Sequence, residues 1–166
     1  MRGRHYLIKH KPDGRGYLIY QSTIEMRKLS VKCSIEINAP ASKIWQAFTD
    51  PAMIKKYLFG TNVTSDWQQG SAITYRGEWK GKTYEDKGSI IEMVPEKLLH
   101  TTYWSGMSGK EDKPENYANV IYEIKPEADH HIVSITQDNI DDEAGIHHMR
   151  ENWGMVLKSM KELLEE

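Results

Sequence analysis

Apolar residues recur along this chain with two periods, and the change from one to the other marks out its elements. From Ser30 to Asn38 the alternation of Val31, Cys33, Ile35 and Ile37 with polar partners predicts a half-buried strand. Ala39-Pro40-Ala41-Ser42 ends it, and a helix beginning at Ala41 or Ser42 carries Ile44, Trp45, Ala47 and Phe48 on one side. Thr49-Asp50-Pro51 breaks that helix and starts another, with Asp50 as N-cap and Pro51 at the first helical position. Met53, Ile54, Tyr57 and Leu58 then prolong the apolar face.

Short strands separated by turn residues follow: Asn62–Trp67, Ala72–Lys80, Thr83–Met93, Lys97–Trp104, Asn116–Ile124 and His130–Gln137. Hairpin-length turns such as Lys80-Gly81-Lys82 and Val94-Pro95-Glu96 make an antiparallel meander the expected arrangement. The last element has the helical period: Ile146, Met149, Trp153, Val156, Met160 and Leu163 recur every three or four residues, widened by Leu157 and Leu164. Asp141 or Asp142 caps it. The pattern predicts an α+β domain of the helix-grip kind, a curved antiparallel sheet wrapped around a long C-terminal helix with two short helices after the first strand. Residues 1–29 read as an N-terminal extension and 30–166 as the domain. Within the extension, His5–Ile8 and Tyr17–Tyr20 flank the turn Pro12–Gly16, which suggests either a hairpin or a disordered extension.

Composition narrows the function. The formal charge is −2 from 22 basic and 24 acidic residues, so no global field attracts nucleic acid or an anionic bilayer. No apolar run is long enough to insert in a membrane, and no apolar leader stands at the N-terminus. The single cysteine, Cys33, offers neither a disulfide framework nor a metal cluster, which fits a reducing cytoplasm. His130-His131 sit on a strand and His147-His148 on a helix, where neighbours point apart, so neither pair is read as a chelate and no metal or cofactor is expected. Five Trp and nine Tyr against two Phe are the compositional oddity, and they suit either cavity walls or half-buried sheet positions.

The segment Ile37-Asn38-Ala39-Pro40-Ala41-Ser42-Lys43-Ile44-Trp45-Gln46-Ala47-Phe48-Thr49-Asp50-Pro51 resembles the opening of the START-related (SRPBCC) superfamily. Ser65-Asp66-Trp67, the run from Arg76 to Gly88, Glu115-Asn116-Tyr117 and Asn152-Trp153 resemble one subfamily within it. That subfamily is similar to the C-terminal domain of the activator of the ninety-kilodalton heat-shock chaperone ATPase. The resemblance runs from about Ser30 to Glu166 and implies the helix-grip fold. Superfamily members serve as lipid carriers, cyclases, hormone receptors and chaperone partners, so the site has to decide the function.

Strand parity puts Val133, Ile135 and Gln137 on one face, with Val120, Tyr122 and Ile124 and with Ile73, Tyr75, Gly77 and Trp79. The leading expectation is a cavity between sheet and C-terminal helix that binds a small hydrophobic or amphipathic molecule, lined by Trp67, Tyr75, Trp79, Tyr103, Tyr122, Gln137, Met149, Asn152 and Trp153. Gln137 and Asn152 either meet the ligand or pin strand to helix. The other aromatic residues equally suit plain core packing. Arg76, Glu78, Glu85, Asp86 and Lys87 read as a solvated charge ladder and not as paired catalytic carboxylates. Two alternatives stand beside this reading: a chaperone-activator-like interaction surface, and a cavity enzyme such as a cyclase or dehydratase using His100, Glu92 or Tyr103. No catalytic residue is assigned.

Overall fold

The computed structural model describes residues 28–166, together with the backbone of two strands nearer the N-terminus, β1 (His5–His10) and β2 (Gly16–Gln21). These two pair antiparallel, from His5 opposite Gln21 to His10 opposite Gly16. The turn expected between them at Pro12–Arg15 lies outside the described residues. The further elements are β3 (Leu29–Ile37), α1 (Ala41–Thr49), α2 (Pro51–Tyr57), β4 (Asn62–Ser65), β5 (Ala72–Trp79), β6 (Lys82–Val94), β7 (Leu98–Ser105), β8 (Ala118–Glu127), β9 (His130–Ile140) and α3 (Glu143–Glu165). A short 3-10 turn at Pro114–Asn116 precedes β8.

β3 to β9 form one antiparallel sheet of seven strands in the order β3-β9-β8-β7-β6-β5-β4. From β4 onward the chain simply meanders. β3 is the exception, since it lies at the far edge beside β9 while its successor β4 forms the opposite edge. The link between them must cross the full width of the sheet, about 29 Å at strand spacings of about 4.8 Å. α1 and α2 together are about 24 Å long at 1.5 Å per residue. Their position across one face of the sheet is therefore a consequence of strand order.

Side-chain caps fix the starts of α2 and α3. Asp50 is the N-cap of α2, its Oδ1 accepting from the Ala52 N–H at 2.8 Å, with Pro51 in the first turn. Asp142 caps α3 by accepting from the Gly145 N–H at 2.8 Å. Its neighbour Asp141 instead takes the ammonium groups of Lys110 and Lys28, at 2.5 and 2.7 Å, which hold its carboxyl down at about 2.

The core lies on the face that the helices cover. Gln137 stands between Val31 and Val120, Ile135 between Cys33 and Tyr122, and Val133 between Ile35 and Ile124. α3 packs on β3 and β9 and buries Ile146, Trp153, Val156, Leu157, Met160 and Leu164. α1 and α2 bury Ile44, Ala47, Phe48, Ile54 and Tyr57 over the rest of the sheet. Cys33 is half-buried beneath α3, where its Sγ lies 3.8 Å from the Arg150 carbonyl and burial pushes the thiol up.

Two expectations are corrected. Trp79 shares the parity of Tyr75 but is 54% exposed, because β5 runs out beyond the helices that cover its other end. The inward place next to it, Gly77, is filled by the Tyr84 ring, whose hydroxyl would lie 2.5 Å from an added Cβ. Asp86 is not part of a solvated ladder: it is buried on the inner face, opposite Tyr75. Arg76 and Glu85 do pair across the hairpin at 2.7 Å, both exposed.

Met160, fully buried at the centre of the α3 contact, and Met155, 54% exposed on the same helix, give a direct comparison. Met160→Ala is expected to cost about 2–5 kcal/mol in urea unfolding, and Met155→Ala about 0.5 kcal/mol or less. Equal costs would contradict this packing.

Candidate functional site

The enclosed apolar space lies under α1 and α2, not against α3. Phe48 from α1 and Ile54, Tyr57 and Leu58 from α2 and its end form the roof, and Val63, Ile73, Tyr75, Leu99 and Tyr122 form the floor. Trp67, on the turn between β4 and β5, closes one side. Its free volume is about 20 Å³, room for a single water-sized molecule. No residue of α3 lines it, whereas the expected cavity lay between sheet and C-terminal helix.

Trp153 explains why. On α3 it packs edge-on against Tyr122, ring centroids 6.2 Å apart, and its indole N–H donates to Gln137 Oε1 at 2.9 Å. Tyr122 touches Phe48 of α1 on its other side, at 5.3 Å. The row Phe48, Tyr122, Trp153 thus joins both covers to β8 and fills the space next to α3. Gln137 serves there as a structural acceptor, one of the two roles open to it in the sequence.

Three phenols line the pocket and a fourth, Tyr103, stands behind Tyr75, and their hydroxyls are in different surroundings. The Tyr57 hydroxyl donates to the Ala47 carbonyl at 2.9 Å and so ties α2 to α1. Tyr75 lies beside the Thr101 hydroxyl and meets Tyr103 edge-on at 5.6 Å. Tyr103 donates to Asp86 Oδ2 at 2.5 Å, while Asp86 Oδ1 accepts from the Gly106 N–H at 3.0 Å. The Tyr122 hydroxyl has no hydrogen-bond partner among the described residues. No fully buried side-chain polar atom among them lacks a partner, so the Tyr122 oxygen borders open space. Burial pushes the phenols of Tyr57, Tyr75, Tyr103 and Tyr122 up, with the Asp86 charge adding to the effect at Tyr103.

Trp67 is held in an unusual backbone state, with φ at 53°. For a bulky residue this left-handed region is strained. The Ser65 hydroxyl accepts from its N–H at 3.1 Å, and the turn is fastened by Ser71 N–H to the Gln68 carbonyl at 3.0 Å and Gly70 N–H to the Ile90 carbonyl at 2.8 Å. The result points the indole into the pocket.

Of the residues expected from sequence, Trp67, Tyr75 and Tyr122 line this space; Tyr103 backs Tyr75, and Trp153 with Gln137 backs Tyr122. Met149 packs on the core edge, Asn152 is half-buried on α3, and Trp79 is remote and exposed. The contributions of Phe48, Ile54, Tyr57 and Leu58 to the pocket were missed. Their signal was the apolar face that continues across Asp50-Pro51, which strand order then lays over the sheet. His100 and Glu92 are opposite one another on the outer face, away from the pocket. There the His100 Nε2 lies 2.8 Å from Asn119 Oδ1, and Asp138 accepts from the Asn119 N–H and Nδ2 at 2.5 and 2.7 Å. Among the described residues no cluster of His, Cys, Asp and Glu could hold a metal ion. No helix among them is long and apolar enough to cross a membrane.

A seven-stranded antiparallel sheet gripping a long C-terminal helix, with two short helices after its first strand, defines a START-like domain. The chain belongs to the Activator of Hsp90 ATPase homolog 1-like protein family, whose model matches residues 38–165. It is similar to ChR145 from Cytophaga hutchinsonii at 42% identity, covering 86% of this chain and 97% of that one, with a TM-score of 0.74. The fold is shared with the Aha1 dimer from Colwellia psychrerythraea (20% identity, 82% and 96% covered, TM-score 0.66). It is shared too with DynU16 from the dynemicin biosynthetic locus (13% identity, 82% and 47% covered, TM-score 0.69). No curated protein matches the chain.

The buried phenols make stability fall at alkaline pH. A phenol whose folded value is raised stabilises the fold fully below the unfolded value of about 10. That contribution is lost as pH rises through the folded value, by about 1.4 kcal/mol per pH unit for each such phenol. In a titration of phenolate absorbance, Tyr57, Tyr75, Tyr103 and Tyr122 are expected to stay protonated above about pH 10 and to ionise together with loss of the fold. Simultaneous ionisation of all nine tyrosines in the native state would contradict their placement.

Proposed function

We propose that the domain binds a small apolar molecule in the pocket beneath α1 and α2, with Trp67, Tyr75 and Tyr122 as contact residues. The observation that carries this reading is the convergence of an apolar roof, a floor of aliphatic and aromatic side chains and Trp67 on one space, while the area beside α3 is filled by side chains. Concave apolar sites with a few placed polar groups are the usual form of small-molecule sites. The space as described holds no more than a water-sized molecule, so binding requires the wall to move. Family membership and the fold shared with a protein of a biosynthetic locus are in keeping with a small-molecule role.

Ile73, 2% exposed on the pocket floor, is the residue through which to test it. Naphthalene is expected to bind the wild-type protein saturably and to change its tryptophan emission. Ile73→Phe, which fills the floor, is expected to weaken that binding about tenfold or more at unchanged circular dichroism, for loss of about 1.4 kcal/mol or more. Absence of saturable binding by the wild type would end the reading.

The second reading is a protein-interaction module, favoured by Trp79 and Phe59, which are 54% and 52% exposed. Large exposed aromatics are enriched where partners dock. If they dock on a heat-shock chaperone, wild-type protein is expected to change the chaperone's ATP turnover and Trp79→Ala to lose most of that change. No effect at saturating protein would dismiss it.

A further inference from the structure

The pocket has one polar group still to be answered, and that group restricts what can bind. Tyr57 and Tyr75 already have hydrogen-bonding neighbours in Ala47 and Thr101, whereas the Tyr122 hydroxyl has none among the described residues. Its ring is fixed between Phe48 and Trp153, so the oxygen cannot turn away to seek a partner elsewhere. A phenol that borders an apolar space with no protein acceptor can give its hydrogen bond to a ligand, and such a bond is worth most when the ligand excludes water.

Charge narrows the class further. The pocket lining contains neither Lys, Arg nor His, so an anionic group brought inside would be desolvated with no cation to meet it. Size narrows it again. With the indole of Trp67 in place the space holds one water-sized molecule, so a larger ligand has to take the room that Trp67 occupies. Trp67 is suited to leave: it is only half-buried, and its neighbours Asp66, Gln68 and Gln69 are exposed. Rotating this indole outward about its side-chain torsions leaves the turn's backbone in place and breaks no side-chain hydrogen bond among the described residues.

Resting on the pocket reading above, we infer that Tyr122 is the ligand-orienting donor and Trp67 the displaceable cover of a site for neutral, compact ring molecules bearing one hydrogen-bond-accepting oxygen. Carboxylates, fatty acids among them, are excluded. Tyr122 sets specificity because its hydrogen bond is available only to a ligand that brings an acceptor, while Phe48 and Trp153 hold the ring whatever occupies the site.

Three molecules of one skeleton test this on the full chain: 1-tetralone, the hydrocarbon tetralin and tetralin-1-carboxylate. Tetralone is expected to bind wild-type protein about fivefold more tightly than tetralin, as one neutral hydrogen bond allows. Tetralin-1-carboxylate is expected not to saturate. Tyr122→Phe keeps the ring contacts and is expected to bring tetralone down to the level of tetralin while leaving tetralin unchanged. With 5-fluorotryptophan incorporated, and the Trp67 fluorine signal assigned from Trp67→Phe, tetralone is expected to move that signal toward its solvent-exposed position. A tetralone preference that survives in Tyr122→Phe, binding of the carboxylate, or a Trp67 signal that stays put at saturation would each overturn the inference and leave the pocket reading standing. If neither tetralone nor tetralin binds the wild type or Trp67→Gly, in which the cover is removed and glycine accepts the left-handed backbone, the pocket reading fails with it.

Discussion

An open sheet of seven strands has one apolar face that no single helix can cover, and the architecture follows from how that face is divided. α3, amphipathic along its whole length, takes the β3–β9 side. The rest falls to α1 and α2, which are drawn across because β3 and β4 lie at opposite edges. The two covers meet over β8, where Phe48, Tyr122 and Trp153 are in contact. Space remains where the shorter cover is thinnest, under α2 and beside the β4–β5 turn, and that is where the pocket is found.

Buried polar groups hold the division in place. Gln137 accepts from the Trp153 indole and fixes the rotation of α3 on β9. Tyr57 joins α2 to α1 through the Ala47 carbonyl, and Asp86 joins Tyr103 to the start of the loop after β7. On the outer face Asp138 and Asn119 link β9 to β8, and Asn119 reaches His100 on β7. A buried polar group left without its partner costs more than the bond gains. Alternative registers, which would orphan these groups, are disfavoured for that reason. Tyr122 departs from the pattern, and the departure falls at the pocket.

Much of the fold was legible in the sequence because its signals are local. The alternation of Val31, Cys33, Ile35 and Ile37, the Asp50-Pro51 restart and the α3 stripe each follow from periodicity and capping chemistry, and the family-like motifs put them in order. The site was legible only in part. Parity correctly placed Tyr75 and Tyr122 on the covered face, yet the same rule misplaced Trp79, since parity says which face a residue takes and not how far the cover extends. It also could not show that Trp153 fills the space beside α3, because that depends on a contact between residues far apart in the chain. Asp86 was read with its charged neighbours, and only strand pairing reveals that it turns inward to Tyr103. The left-handed backbone at Trp67 has no signal in the sequence at all, as such conformations are usually entrusted to glycine or asparagine.

A space beneath α1 and α2 that can open differs from a packing remnant in what it admits. Crystals of the protein held under xenon test this most directly, since xenon enters apolar cavities without needing any particular hydrogen bond. An anomalous peak is expected between the rings of Trp67, Tyr75 and Tyr122, with the Trp67 indole displaced from its present position. A Trp67 indole that keeps its place, with no xenon in this space at pressures that fill sites elsewhere in the molecule, would contradict it.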